Sequence, residues 1–268
     1  MSPAEILEFA GRRLFEAIGI SDHYETRGAL EARLHRAADR SLPEVIISQE
    51  VSAGDHFHLL VIGDAQPWPE QNRCQLLDAL AEHHQKGGAV ILAHPWTMPR
   101  TGWAAEYLKL LLDQEILDGV EMLNASITEL SRSELADLKC LWEEEFAPRR
   151  LGTFGGSDFH HLRKGQLIGT GRTYLKVEEP HTFGIMEAIL ARRAVAGLCT
   201  PVCSDLDWLG SGFQFYCGCT PWYEEILHQI DFLRGYIATL SGSGRYRKGF
   251  LTRLLADGQF QQVYDLIV

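Results

Sequence analysis

Short apolar runs recur along this chain, and the stretches between them carry apolar residues at helical spacing, an alternation that commits most of the backbone to strands joined by helices. Ala17 to Ile20 is the first such run, and strands are expected again near 44–48, 57–62, 89–93, 118–122, 151–154 and 172–177. Helices are expected across 27–39, 70–85, 104–114, 127–145 and 182–193. The chain also opens on a helix. Ser2-Pro3-Ala4-Glu5 sets an N-cap serine, a first-turn proline and a first-turn acid ahead of the apolar period Ile6, Leu7, Phe9, Ala10 and Leu14. Strands alternating with helices of this length imply a parallel sheet.

From about residue 194 the rhythm gives way to a Gly/Cys-rich stretch, after which helices are expected near 222–240, 245–256 and 259–267, with Ser241-Gly242-Ser243-Gly244 as a flexible connector. The expected division is therefore an α/β barrel over 1–193, then a segment over 194–268 whose helices pack on or complete it. The length of 268 residues suits this, since one such barrel takes about 250 residues.

The unusual polar residues fall just after the expected strands. Asp22-His23 follows the first, Glu50 the second, His94 the strand at 89–93, and Gly156-Ser157-Asp158-Phe159-His160 the strand at 151–154, while Glu121 ends the strand at 118–122. In a parallel barrel these ends share one rim, so residues distant in sequence converge. Any one of them reads equally well as a turn or a solvated rim residue. Together they supply the imidazoles and carboxylates that divalent metals use. His35, His83 and His84 lie on expected helices without such an address and are read as surface residues.

Other groups were weighed against blander readings. Arg172 and Arg100 are candidate phosphate clamps, because a guanidinium matches two phosphoryl oxygens, although a solvated arginine is the simpler account. Glu121 and Asn124 share the same rim and are placed to bond a substrate or to support the ligands. Cys199, Cys203, Cys217 and Cys219 are close enough in sequence to hold zinc, but their spacing is not a standard zinc pairing.

The motifs resemble, in order, those of the polymerase and histidinol phosphatase (PHP) superfamily of metal-dependent phosphoesterases. Ile20-Ser21-Asp22-His23 looks like its strand followed by Thr-Asp-His, Ser48-Gln49-Glu50-Val51 like its Gly-Ile-Glu, and His58-Leu59-Leu60 like its His-Leu-Leu. Leu92-Ala93-His94-Pro95 is similar to its Ala-His-Pro, and Gly156-Ser157-Asp158-Phe159-His160 to its Gly-Ser-Asp-Ala-His; the likeness spans roughly residues 2–180. It implies a distorted (β/α)7-type, TIM-like barrel holding one to three Zn, Mn or Fe ions. By the same resemblance Glu50 bridges two metals, His58 and His94 complete one site, Asp158 serves a second, and His23 with His160 a third. His56 rivals His58, which is preferred because it directly precedes Leu59-Leu60. Glu50, Asp158, Glu121 and Arg172 are then the residues expected to carry the chemistry.

The family pattern also has a first strand bearing His-x-His, and no histidine precedes His23 here. The expectation is either a start that lies upstream or a reduced metal centre. Two functions follow: hydrolysis of a small phosphomonoester or phosphodiester by metal-activated water, or a binding or regulatory module with an incomplete cluster.

Composition narrows the partners. The net charge of −11 opposes non-specific attraction to polyanions, so bulk nucleic acid is not the expected ligand, whereas cations in one cleft can still attract a small phosphorylated substrate. No apolar run approaches the roughly 20 residues that span a bilayer, and the N-terminus lacks the pattern of a secretory signal, so a cytoplasmic protein with six thiols and no membrane partner is expected.

Overall fold

The computed structural model describes residues 1–12, 15–124, 130–160, 171–177, 180–199 and 214–217. Helix α1 (Pro3–Arg12) begins as expected: Ser2 Oγ accepts from the Glu5 backbone N–H at 3.3 Å, and the Glu5 carboxylate accepts from Ser2 N at 2.7 Å. It leads to β1 (Ala17–Ile20), α2 (Arg27–Ala38), β2 (Glu44–Gly54), β3 (Phe57–Ile62), α3 (Arg73–Gln85), β4 (Ala89–Leu92), α4 (Trp103–Asp113) and β5 (Gly119–Leu123). After these come α5 (Arg132–Leu141), β6 (Gly152–Gly155), β7 (Gly171–Leu175), α6 (Thr182–Leu190), β8 (Ala194–Cys199) and β9 (Gln214–Cys217).

Six strands form one curled sheet in the order β1-β2-β3-β4-β5-β6. The expected all-parallel sheet is corrected here. β1 and β2 are parallel, as are β4, β5 and β6, but β3 runs antiparallel to both β2 and β4. The cause is β2, which continues past residue 48 to Gly54 and leaves only Asp55-His56 before β3. Two residues close a hairpin, whereas a parallel neighbour needs a crossover of about a dozen residues or more. Glu50 therefore lies within a strand, not beyond its end.

Alternate residues of the strands face two different cores. Leu59, Val61, Val90, Leu92, Val120 and Met122 pack with Leu76 and Leu80 of α3, Leu108 and Leu111 of α4, and Leu135 and Leu138 of α5. Ile46, Ile62, Ala89, Ile91 and Phe154 face the other way, towards Ile185 and Ile189 of α6. Apolar residues on both faces explain why these strands read as continuous hydrophobic runs.

Of the helix expected over 127–145, the first three residues lie outside the described ones; α5 is capped by a box of Ser131 and Glu134, and passes after Leu141 into a π-turn (Trp142–Phe146) and a 3-10 turn (Ala147–Arg149). The rhythm does not stop at 194. β8 pairs antiparallel with β7 across that position and with β9, and this three-stranded sheet is joined to β6 by side chains: Thr153 Oγ1 accepts from Ala196 N at 2.9 Å, and Thr173 Oγ1 accepts from Gly155 N at 3.0 Å. The backbones of β6 and β7 approach so closely that a Cβ on Gly171 would lie 2.0 Å from the Gly156 carbonyl oxygen. The three helices expected in the tail, and Cys203 and Cys219, lie outside the described residues, as do the side chains of Cys199 and Cys217.

Two histidines read as surface residues are structural. His83 is buried, with Nε2 3.0 Å from the Ile62 carbonyl and its ring over Gly88, and burial lowers its pKa. His84 Nε2 meets the buried carboxylate of Asp118 at 3.1 Å; that carboxylate also accepts from Val90 N at 2.9 Å, tying β4 to the start of β5. His35 is exposed as expected. Among the described residues no helix is long and apolar enough to cross a membrane.

Candidate metal centre

Glu50 sits in the interior of β2, where pairing with β1 is carried beyond Ile20 by a bridge between His23 and Glu50. Glu50 N donates to the Asp22 carbonyl at 3.1 Å, and Tyr24 N donates to the Glu50 carbonyl at 3.0 Å, so His23 is held beside the carboxylate. On the other side β3 brings His58 opposite Ser52, and Ala93 N donates to the His58 carbonyl at 3.1 Å, which sets His94 just beyond β4. Four neighbouring strands, β1 to β4, thus deliver one side chain each.

The carboxylate is shared among the imidazoles. Glu50 Oε1 lies 2.7 Å from His58 Nδ1 and 3.2 Å from His94 Nε2, while Oε2 faces His23 Nε2 at 3.7 Å. His58 Nδ1 and His94 Nε2 are 3.3 Å apart. Ligands on one tetrahedral zinc with bonds of about 2.1 Å stand about 3.4 Å from one another, and the observed separations bracket that value. The donor atoms of His23, Glu50 and His58 all lie within 4.8 Å of each other. Spacing and donor chemistry both fit a divalent cation.

Burial raises the Glu50 carboxyl pKa, but hydrogen bonds and charge from His58 and His94 outweigh it and hold the group well below the usual carboxylate range. Burial likewise opposes charge on His94, yet the Glu50 hydrogen bond and the charges of Glu121, Glu50 and Asp158 raise its pKa above the ordinary imidazole value. Without a cation these residues hold one another.

His94 is oriented by Thr97, a residue for which the sequence carried no signal. Thr97 Oγ1 lies 2.9 Å from His94 Nδ1, 3.1 Å from the His56 carbonyl and 3.0 Å from the His94 carbonyl. The hydroxyl has one proton, and both carbonyls only accept, so Nδ1 carries the hydrogen that it donates to Oγ1. In the neutral ring this leaves Nε2, the nitrogen facing Glu50, as the one that can give its lone pair to a cation; when protonated, Nε2 donates to Glu50. His94 adopts a left-handed backbone (φ 25°), as do His56 (φ 61°) and Asp158 (φ 45°). Strained residues of this kind cluster where surroundings fix a functional geometry.

All six expected ligands line one cavity of about 180 Å³: His23, Glu50, His58, His94, Asp158 and His160, joined by His56 and Thr97. Asp158 and His160 follow β6 as expected, with His160 Nδ1 3.0 Å from the Asp158 carbonyl and 3.4 Å from its Oδ1. His56, the rival of His58, lines the cavity from the hairpin turn, but His58 is the one bonded to Glu50.

The other candidates stand elsewhere. Glu121 is buried behind His94, accepting from His94 N at 2.9 Å and from Asn124 Nδ2 at 3.2 Å. Burial pushes its carboxyl up to about 7, against the lowering by His94, with Asp158 and Glu50 adding to the rise. It supports His94 and does not line the cavity. Arg172 is buried on β7 with its guanidinium 4.3 Å from the Phe15 ring centroid, and Arg100 is half-buried in the field of Asp137 on α5, so neither lines the cavity.

Curled sheet and cavity together define an α/β protein with a histidine- and carboxylate-rich centre suited to divalent cations. No protein-family model and no curated protein matches the chain. Among solved structures it is similar to a two-domain protein from Bacteroides vulgatus that contains a predicted PHP-like metal-dependent phosphoesterase, at 21% identity and a TM-score of 0.54, over 73% of this chain and 60% of that one. It is also similar to a candidate metal-dependent phosphoesterase from Bifidobacterium adolescentis, at 17% identity and a TM-score of 0.49, over 71% and 91% of the two chains. The first of these shows a PHP-like fold, and this chain spans 60% of that protein's length.

Proposed function

We propose that this chain hydrolyses small phosphate esters with the help of divalent cations held by His23, Glu50, His58, His94, Asp158 and His160. The observation that carries the reading is Glu50, whose two oxygens face different imidazoles, Oε1 towards His58 and His94 and Oε2 towards His23. A carboxylate so flanked is placed to be shared between two cations. When bound, such ions neutralise phosphoryl oxygens and acidify a water enough to supply hydroxide near neutral pH. The protein's own part is positioning. Thr97 keeps the His94 lone pair on Nε2, Glu121 and Asn124 fix the His94 backbone, and Asp158 with His160 bring a second carboxylate and imidazole to the cavity.

The test is hydrolysis by the full chain, read as phosphate release from small monoesters and as release of the alcohol from small diesters, after chelation and after return of Mn, Zn or Fe. Turnover that disappears with the metal and returns with it supports the reading. A chain that binds metal at these residues and hydrolyses neither monoesters nor diesters sinks it.

A further inference from the structure

Beside the metal centre lies a larger cavity of about 600 Å³, and the two share His56 and His58. One wall is the outer end of the β2–β3 hairpin, where a bulge between Ser52 and Gly54 interrupts the ladder. The other is the segment from Glu70 to Arg73 that enters α3. Both walls are tied down. Gln49, fully buried, donates Nε2 to the Gln66 carbonyl and accepts from Trp68 N, each at 2.8 Å, while Asn72 caps α3 by accepting from Gln75 N at 3.1 Å. Trp103 links the walls: the Arg73 guanidinium lies 4.3 Å from its ring centroid, and its ring packs so closely on Gly54 that a Cβ there would come within 2.7 Å.

The polar groups of this cleft select what enters it. Asp55 and Glu70, when ionised, only accept hydrogen bonds. Tyr24 has no hydroxyl proton to offer, because it donates to the Ser52 carbonyl at 3.1 Å and accepts from Ser52 N at 2.8 Å. The two carboxylates outnumber the one guanidinium, that of Arg73 over Trp103, and oppose a second phosphate, while Arg73, His56 and His58, with any cation beside them, oppose a positively charged group. A neutral donor of hydrogen bonds satisfies both walls.

We propose that this cleft, opening from the metal centre at His58, holds the leaving group of a phosphate monoester, and that this group is uncharged and rich in hydroxyls, as in a sugar monophosphate. The assignment rests on the phosphoesterase reading above. The smaller cavity takes the phosphate, and the larger one takes the hydroxyls, which donate to Asp55 and Glu70.

Calorimetric titration of the Mn-loaded full chain with inorganic phosphate, ribose 5-phosphate and glucose 6-phosphate tests this. At about 1 kcal/mol for each net hydrogen bond, two such bonds predict a sugar monophosphate affinity at least about ten-fold above that of inorganic phosphate. Asp55→Ala and Glu70→Ala, both at exposed positions, should each reduce that preference about five-fold while changing the affinity for inorganic phosphate far less. Equal affinity for all three ligands, or a preference that survives both substitutions, overturns the cleft assignment while leaving phosphate binding at the metal intact. Failure of the Mn-loaded chain to bind phosphate in any form overturns the esterase reading as well, so the two failures are distinguishable.

Discussion

Nε2 of His94 lies 3.2 Å from Oε1 of Glu50, although 44 residues separate the two in sequence. The contact exists because β3 is inserted antiparallel between β2 and β4, bringing the interior of β2 level with the end of β4. The same insertion places His58 between them, with its ring centroid 5.2 Å from that of His23 and 5.0 Å from that of His94.

Glu50→Gln removes the charge that faces three imidazoles. Loss of a partner that merely supports a metal ligand costs about 10–100-fold in affinity or activity, so loss of the shared carboxylate should cost at least about 100-fold. Metal analysis and phosphate release measure it. The control is His35→Ala, at an exposed position on α2; His83 is unsuitable because it is buried. Equal metal occupancy and turnover in the two variants would remove Glu50 from the centre.

Thr97→Val leaves His94 Nδ1 without its acceptor, so the proton is free to move to Nε2 and block the metal-facing lone pair. Metal affinity should fall about ten-fold, and Thr97→Ser should restore it. The ring-nitrogen chemical shifts of His94 report the tautomer directly. An unchanged tautomer in the valine variant would show that Glu50 and His58 orient the ring unaided.

His83 links stability to pH. Its folded-state pKa is lowered by burial, so the unfolded chain takes up the proton first on acidification. The stability His83 contributes is full above about 6.5, the unfolded value, and is lost as pH falls from there towards the folded value. His83→Ala should destabilise by about 2–4 kcal/mol at pH 7.5 through the space left beside Gly88 and Trp68. The gap from the native chain should narrow at pH 5 in denaturant titrations, and a gap that widens would contradict the sign.

Gly171→Ala sets a methyl group against the Gly156 carbonyl oxygen, 2.0 Å from an ideal Cβ. Overpacking of this kind costs about 1–3 kcal/mol. The shift would displace the strand end from which Asp158 and His160 follow, so metal affinity should fall together with the denaturation midpoint. A stable variant with weakened metal binding would separate the two effects.

Much of the layout was legible in the sequence because its signals are local. The N-cap of α1, the Ala17–Ile20 strand and the polar residues after β4 and β6 are set by neighbours a few positions away. The reversal of β3 is not legible in the sequence because Glu50-Val51-Ser52 looks polar enough to end a strand, which hides the hairpin turn at Asp55-His56. His83 could have been found, since Leu76, Leu80 and His83 are spaced to share one face of α3, and all three are buried.

Residue identity and spacing determined that His23, His94, Asp158 and His160 would follow strands and that apolar runs would cover two faces of a sheet. Only the tertiary structure decided that Glu50 points one oxygen at His58 and His94 and the other at His23, that Thr97 Oγ1 meets His94 Nδ1, and that Glu121 and Arg172 stand outside the cavity. Helices and turns depend on interactions over three or four residues and are written into short windows of sequence. The centre depends on the register of four strands, joined by whole helices except at the β2–β3 hairpin, and a slip of one residue in that hairpin would turn Glu50 and His58 to opposite faces.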